Sequence, residues 1–80
     1  MMRIDKYLKN SRIIKRRTVA KEACEKGRVF INEKQAKAGD EVKLGDKIQI
    51  LFGSEEMNIE VTELKENVRK EDAENMFKKI

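Results

Sequence analysis

Positive charge is the feature of this 80-residue chain with the clearest chemical potential, because it is concentrated in one half. Residues 1–37 hold twelve Lys and Arg against four Asp and Glu, whereas residues 38–80 hold seven against eleven. Like charges at this spacing repel one another, so folding gains little from them, and a polyanion could neutralise them. The pattern therefore indicates nucleic acid as the partner. The candidate phosphate contacts are Arg3, Lys6, Lys9, Arg12, Lys15, Arg16, Arg17, Lys21 and Lys37.

A solvated charged surface is the alternative interpretation of this pattern, since lysine is common on any helix. Acidic residues usually intersperse such a surface, but none lies between Lys6 and Lys21. Phosphates repeat along a nucleic-acid strand, so an array of cations on rigid helices could follow them. The clustering therefore favours the nucleic-acid interpretation.

The roles of Asp5 and of the polar residues Gln35 and Lys37 have more than one interpretation. Asp5 is the one acid of the first helical segment. It could orient Lys9 one turn later, reach an arginine of the second helix, or form an ordinary surface pair. Gln35 and Lys37 could touch a sugar-phosphate backbone from the sheet side, or be exposed polar residues on a sheet edge.

Catalysis and metal binding have little support in the residue types present. The chain has no histidine, so the usual general acid/base and the commonest metal ligand are missing. No nucleophile, base and orienting group can be assembled, and Cys24 is expected to be a small core residue rather than a reactive thiol. We predict a non-enzymatic protein with no cofactor and no metal. The acidic residues expected on a solvated hairpin face, where they would repel RNA, are Glu55, Glu56, Glu60, Glu63 and Glu66.

Two short helices are expected to carry the basic residues. A helix over 3–10 would bury Ile4, Tyr7 and Leu8 on one side. A second helix is predicted from Thr18, as N-cap, to Lys26, and Gly27 is placed as its left-handed stop. Its apolar face is expected to consist of Val19, Ala20, Ala23 and Cys24.

Apolar alternation predicts strands after the second helix. Residues 28–32 fit a strand, 35–38 a short strand pairing back, and the segments with Ile48, Ile50, Phe52 and with Met57, Ile59, Val61 fit a hairpin. The spacing of Ala73, Met76, Phe77 and Ile80 predicts a C-terminal helix over 65–80, with Asn67 as a possible N-cap. The predicted fold class is α+β: two N-terminal helices on a small bent antiparallel sheet, with a C-terminal helix. We expect one domain over 1–80, located in the cytoplasm because no long apolar run is present.

The spacing of several of these residues resembles that of a known family. Arg17, Ala20, Gly27, Val29, Ile31 and Asn32, followed by Gly45-Asp46-Lys47-Ile48, are similar to the RNA-binding domain of ribosomal protein S4 over residues 3–52. Segments 3–9, 11–18, 20–22 and 35–37, with parts of the tail, resemble its small stand-alone members of bacterial ribosome-associated quality control. That group is related to the heat-shock ribosome-binding protein.

The resemblance implies a role on the ribosome. It implies binding to the free large subunit that still holds a stalled peptidyl-tRNA, with contacts to both rRNA and tRNA. A partner factor that recruits alanyl-tRNA would then extend the stalled chain with alanine. The resemblance assigns Arg3 and Arg17 as RNA contacts. The alternatives are a rescue factor without a tailing role and a DNA-binding regulator, which is usually a dimer; no dimer face is visible, so a monomer is expected off the ribosome.

Overall fold

Two short helices pack on an antiparallel sheet in the computed structural model, which describes residues 1–80. Helix α1 spans Ile4–Asn10 and helix α2 spans Arg17–Glu25. Tyr7 and Leu8 are fully buried together with Ile4. The predicted apolar side of the first helix is therefore confirmed.

Helix α2 differs from its prediction at its start and on its apolar face. Its first backbone bond runs from the N–H of Ala20 to the carbonyl of Arg16 (3.0 Å), so Thr18 lies inside the helix and is not the N-cap. Ala20 and Cys24 are buried as predicted, but Val19 is 46% exposed. At 3.6 residues per turn, Val19 lies about 120° around the helix from the midpoint of Ala20 and Cys24, which explains its exposure.

The two helices end in the same left-handed backbone conformation with different residues. Gly27 follows α2 with a φ of 71°, as predicted, and its N–H donates to the carbonyl of Cys24 at 3.0 Å. Arg12 follows α1 with a φ of 60°, and its N–H donates to the carbonyl of Lys9 at 3.0 Å. Glycine adopts this conformation without steric cost, whereas a side chain with a Cβ is strained there. Arg12 is therefore held in a conformation that its own residue type disfavours.

The strands form one five-stranded and one two-stranded antiparallel sheet. Their bounds are β1 (Met2–Arg3), β2 (Val29–Ile31), β3 (Lys34–Gln35), β4 (Glu41–Val42), β5 (Lys47–Phe52), β6 (Glu55–Val61) and β7 (Phe77–Lys79). The larger sheet has the order β3-β2-β5-β6-β7, and β1 pairs separately with β4. The α+β fold class, with helices on an antiparallel sheet, is thus confirmed.

Turn chemistry and alternation set the register of the larger sheet. Asn32 and Glu33 both have positive φ and join β2 to β3, as a two-residue turn between twisted strands requires. The side chain of Asn32 accepts a hydrogen bond from the N–H of Lys47 (3.0 Å), which ties this turn to β5. In the hairpin of β5 and β6, Ile48 faces Ile59, and both are buried. The predicted inward alternation of the hairpin is confirmed at Ile48, Ile50, Ile59 and Val61, whereas Met57 is half-buried and Phe52, at the end of β5, is 43% exposed. None of the helices is long and apolar enough to cross a membrane.

The C-terminal part of the chain differs most from its prediction. A C-terminal helical element is present as expected, but it is a 3-10 helix over Lys70–Met76 and not a helix over 65–80, and β7 then pairs with β6. Asn67 lies before this element and does not cap it. Ala73 and Met76 are buried as predicted. A spacing of three residues suits a 3-10 turn as well as an α-helix, and the open edge of β6 offers backbone bonds that a helix could not use.

Candidate nucleic-acid interface

A buried carboxylate joins two arginines at the N-terminal end of α1. Asp5 is 2% exposed. Its Oδ2 accepts a hydrogen bond from Nη2 of Arg3 at 3.2 Å, and its Oδ1 accepts one from Nη2 of Arg17 at 3.4 Å. We call Arg3, Asp5 and Arg17 the arginine cluster. Of the interpretations open for Asp5, the structure supports contact with an arginine of the second helix and not with Lys9.

The local sequence explains why these three side chains meet. Arg3 ends β1, whose pairing with Glu41 of β4 fixes the backbone just before α1. Asp5 lies in the first turn of α1, where the helix dipole favours a negative charge, and its Oδ1 also accepts the backbone N–H of Lys6 at 2.8 Å. Arg17 begins α2, which packs against α1. The cluster therefore sits where both helices begin.

The cluster presents its guanidinium groups to solvent in a fixed orientation. The side chains of Arg3 and Arg17 are 51% and 47% exposed, whereas that of Asp5 is 3% exposed. Asp5 uses only part of the donors of each guanidinium, which carries five N–H groups in a planar fork. The remaining donors are free to bind phosphate or carboxylate oxygens.

A second group of cations lies at the other end of α1. Lys9, Arg12, Lys15 and Arg69 line an open groove of about 520 Å³, together with Asn10, Glu66, Asn67 and Val68. We call the four cations the cationic groove. None of them takes part in an ion pair. Three were predicted as phosphate contacts, and the structure places them apart from the arginine cluster.

Three side chains of α1 fasten the C-terminal segment that forms one wall of this groove. The amide of Asn10 donates to the carbonyls of Lys65 (3.1 Å) and Glu66 (3.2 Å). Lys6 forms an ion pair with the carboxylate of Glu66. The hydroxyl of Tyr7 donates to the carbonyl of Met76 at 2.6 Å, and burial raises the pKa of Tyr7 above its ordinary value.

The remaining predicted contacts are dispersed. Arg16, Lys21 and Lys37 are exposed and form no ion pair. Lys37 follows β3, and its backbone N–H donates to the carboxylate of Asp40 at 2.9 Å. The side chain of Gln35 lies over Gly27, where an added Cβ would come within 2.8 Å of its Nε2. Gln35 is thus an exposed polar residue on the edge strand β3, with its side chain next to Gly27.

Arg69 was not among the predicted contacts, and Glu66 lies on a different surface from the one expected. Arg69 was expected on a C-terminal helix, so its proximity to the end of α1 was not foreseen. Glu66 was expected on the hairpin face, but it pairs with Lys6 beside the groove. Glu56 and Glu60 do alternate with the inward-facing residues of β6, and Glu60 approaches Lys78 of β7 at 3.9 Å.

Cys24 lies in the core behind the arginine cluster. It is 2% exposed, and burial, with a smaller contribution from the charge of Asp5, raises its thiol pKa from 9.0 to about 11. A buried thiol with a raised pKa is a poor nucleophile. No group of three or more Cys, Asp or Glu side chains comes together in a way that could hold a metal ion.

Comparison with known proteins shows which family model, proteins and structures this chain is similar to. A family model described as "S4 domain" matches residues 2–48. A curated protein of Halalkalibacterium halodurans named "RQC P-site tRNA stabilizing factor" is 54% identical over 76 residues, covering 95% of this chain and 86% of that protein. A Bacillus subtilis protein of the same name is 51% identical over 76 residues, covering 95% and 88%. The structure of Vibrio cholerae Heat Shock Protein 15, described as trimeric, has a TM-score of 0.91 at 28% identity and covers 99% of this chain and 81% of that one.

Proposed function

This chain belongs to the S4 domain family, in the group of the RQC P-site tRNA stabilizing factors, and on that premise we propose that it is a non-enzymatic RNA-binding factor of ribosome-associated quality control. It associates with the large ribosomal subunit that carries a stalled peptidyl-tRNA. There it contacts rRNA and tRNA and supports the addition of C-terminal alanine. The relatives' name and the S4 domain support this proposal.

The arginine cluster is the observation that carries the proposal. Two half-exposed guanidiniums share one buried carboxylate, at the point where two helices begin. Such an arrangement fixes the direction of the free N–H donors before any ligand arrives. Less rotamer entropy is lost on binding, because the planar fork is already oriented.

Holding RNA, rather than reacting with it, is the task that this geometry suits. Arg3 and Arg17 each offer N–H donors to phosphate oxygens, and phosphate contacts fix register and orientation on a nucleic acid without reading its bases. Asp5 acts through the arginines and is a positioning residue. A tRNA held in this way would stay in place while a partner factor delivers alanyl-tRNA.

Replacement of one arginine tests the proposal directly. Arg17→Ala is expected to weaken binding to large subunits by about 10- to 100-fold, since hydrogen bonds to charged groups contribute roughly 1.5–3 kcal/mol. The measurement is co-sedimentation with purified large subunits, with circular dichroism as the check on folding. Lys34→Ala, on edge strand β3, is the control, because Lys34 is exposed and forms no ion pair. Unchanged co-sedimentation of a folded Arg17→Ala protein would contradict the assignment.

Salt dependence tests the nature of the contact. If about five phosphates are neutralised, affinity should fall by a factor on the order of 100 to 1,000 between 50 and 200 mM salt. A binding constant that is flat across this range would exclude a phosphate-dominated interface.

A rescue role without tailing is the second candidate function, and the likeness to Heat Shock Protein 15 favours it. Both candidates predict binding to large subunits, so binding alone does not separate them. Loss of alanine tails on stalled chains after deletion of the gene, restored by the wild-type protein but not by Arg17→Ala, would support the tailing role. Unchanged tails would support the rescue role.

A further inference from the structure

The cationic groove carries charge that the arginine cluster does not account for. Lys9 lies in the last turn of α1, Arg12 and Lys15 lie in the connection to α2, and Arg69 comes from the C-terminal segment. The groove therefore crosses the boundary of the S4 match, which ends at residue 48. Its C-terminal wall lies outside the residues that the family model matches.

Charge in this groove is almost entirely uncompensated. The one acid of its lining, Glu66, is already paired with Lys6, and the four cations have no acidic partner. Like charges that converge without acids raise the local positive potential, which attracts anions and increases their association rate. An anion in the groove would remove this repulsion.

The backbone around the groove is fixed. Asn10 donates to the carbonyls of Lys65 and Glu66, and Tyr7 donates to that of Met76, so the C-terminal wall is attached to α1 at two points. Arg12 is held in the left-handed conformation at the end of α1. Strain of this kind persists where the surrounding structure imposes it, and it is common at binding sites. The strained backbone directs the Arg12 side chain into the groove lining.

The lining favours a phosphate backbone over a protein segment. Val68 is its single apolar residue. Protein interfaces depend on apolar or aromatic anchors that enter pockets, and this groove offers none. Grooves that follow a nucleic-acid backbone are instead open and lined by cations.

We propose that the cationic groove is a second RNA site, which binds backbone phosphates independently of the arginine cluster and for which Arg69 is a required contact. The proposal rests on the proposed function, because it assigns a further surface for RNA on the ribosome. It extends the RNA-binding surface of the chain from the S4 part onto the C-terminal segment.

Neutralisation of two groove cations tests the site. The double variant Lys15→Gln/Arg69→Gln keeps long side chains and removes two charges. Its binding to large subunits, measured at several salt concentrations, should show a salt slope lower by about 1.5, since each phosphate contact contributes roughly 0.7–0.9. Lys34→Gln/Lys47→Gln removes the same charge from exposed strand positions outside the groove and should leave the slope unchanged. Independence predicts that the losses from the groove variant and from Arg17→Ala multiply in the triple variant.

Directed cleavage identifies what lies in the groove. An Fe(II)-EDTA reagent attached to Asn67→Cys, on the groove wall, should cut an RNA strand of the bound large-subunit complex. The same reagent on Lys34→Cys should not cut that strand. Buried Cys24 should not take up the reagent, so the unmodified protein serves as the blank.

The outcomes separate this proposal from the function on which it rests. If Arg17→Ala loses binding while the groove variant keeps the wild-type slope, the groove proposal is wrong and the proposed function stands. If both variants bind as wild type does, the assignment of the arginine cluster is wrong together with the groove proposal. If the wild-type protein itself does not bind large subunits, the proposed function fails. If the groove variant loses affinity but Asn67→Cys cuts no RNA, an acidic protein segment occupies the groove and the RNA site is overturned.

Discussion

The arginine cluster and the cationic groove lie at opposite ends of one short helix and present positive charge differently. In the cluster, Arg3 and Arg17 are paired with buried Asp5, so charge is partly neutralised and orientation is fixed. In the groove, Arg12 and Arg69 have no carboxylate partner, so charge is retained and the side-chain ends stay free. Pre-oriented donors lower the entropy lost on binding, whereas unpaired charge increases attraction at longer range.

The difference shows that net charge alone does not describe how a basic surface presents its hydrogen-bond donors. Counting charges would treat Asp5 only as a loss of positive charge. Its contacts show that it also holds two guanidiniums in one orientation. The predictions below separate orientation from charge.

Asp5→Asn should give the largest effect and is the sharpest test of the comparison. The variant gains one unit of positive charge but loses the charged acceptor shared by Arg3 and Arg17. We expect affinity for large subunits to fall by about tenfold or more, since hydrogen bonds to a charged partner are lost. The measurement is a binding titration at constant salt, with urea unfolding as the check on stability. Tighter binding would show that charge count outweighs orientation.

Tyr7→Phe should affect the groove and not the cluster. The variant removes one of the three hydrogen bonds that the carbonyl of Met76 accepts, and the bonds from the N–H groups of Thr62 (2.9 Å) and Glu63 (3.2 Å) remain. A typical hydrogen bond contributes about 0.5–1.5 kcal/mol, so the free energy of unfolding should fall by that amount in urea titrations. With the C-terminal wall loosened, the salt slope of binding should decrease toward that of Lys15→Gln/Arg69→Gln. A loss of stability without a change in slope would show that the wall does not depend on this bond.

Arg12→Gly should change stability and binding in opposite directions. Glycine relieves the left-handed strain at the end of α1, so the free energy of unfolding should rise by about 0.5–1 kcal/mol. Binding should weaken, because the groove loses a cation. Gly27→Ala is the opposite change and serves as the control. It introduces the same left-handed strain at the end of α2, and its Cβ would lie 2.8 Å from Nε2 of Gln35, so the free energy of unfolding should fall. Equal stability of Arg12→Gly and wild type would mean that the Arg12 backbone is not strained.

Cys24→Ala should give the smallest effect, and it reports on the core behind the cluster. Folding raises the pKa of this thiol from 9.0 to about 11, so its contribution to stability is complete below pH 9 and is lost as pH rises toward 11. The variant should therefore lose less stability than wild type between pH 9 and 11 in denaturant titrations. In Asp5→Asn the thiol pKa should fall, because one of the charges that raise it is removed. An unchanged thiol pKa would show that Asp5 carries no charge near Cys24.

Local patterns were sufficient to predict much of this fold. The buried side of α1, the stop at Gly27 and the hairpin of β5 and β6 all follow from short-range rules of spacing and backbone preference. They depend on residues close in sequence, or on a register that the hairpin itself sets. Their prediction therefore does not require knowledge of tertiary packing.

The predictions that were wrong or incomplete concern features that depend on contacts between residues far apart in the sequence. Spacing alone could not distinguish an α-helix from a 3-10 helix around Ala73, and only pairing with β6 shows why the chain ends in a strand. The cluster was predicted in part: Arg3 and Arg17 were named, but the choice of Asp5 among its possible partners required the packing of α1 on α2. Arg69 was missed for the same reason, since its neighbours in space are more than fifty residues away in sequence.

The hydrogen bond from Tyr7 to Met76 also has a consequence for how the molecule forms. It joins residues separated by 69 positions, so its formation closes a loop of almost the whole chain. Contacts of this kind come late, because the entropy of loop closure is lost before they contribute stability. The groove is therefore complete only after the last strand has joined the sheet. A nascent or prematurely terminated chain would lack this second surface.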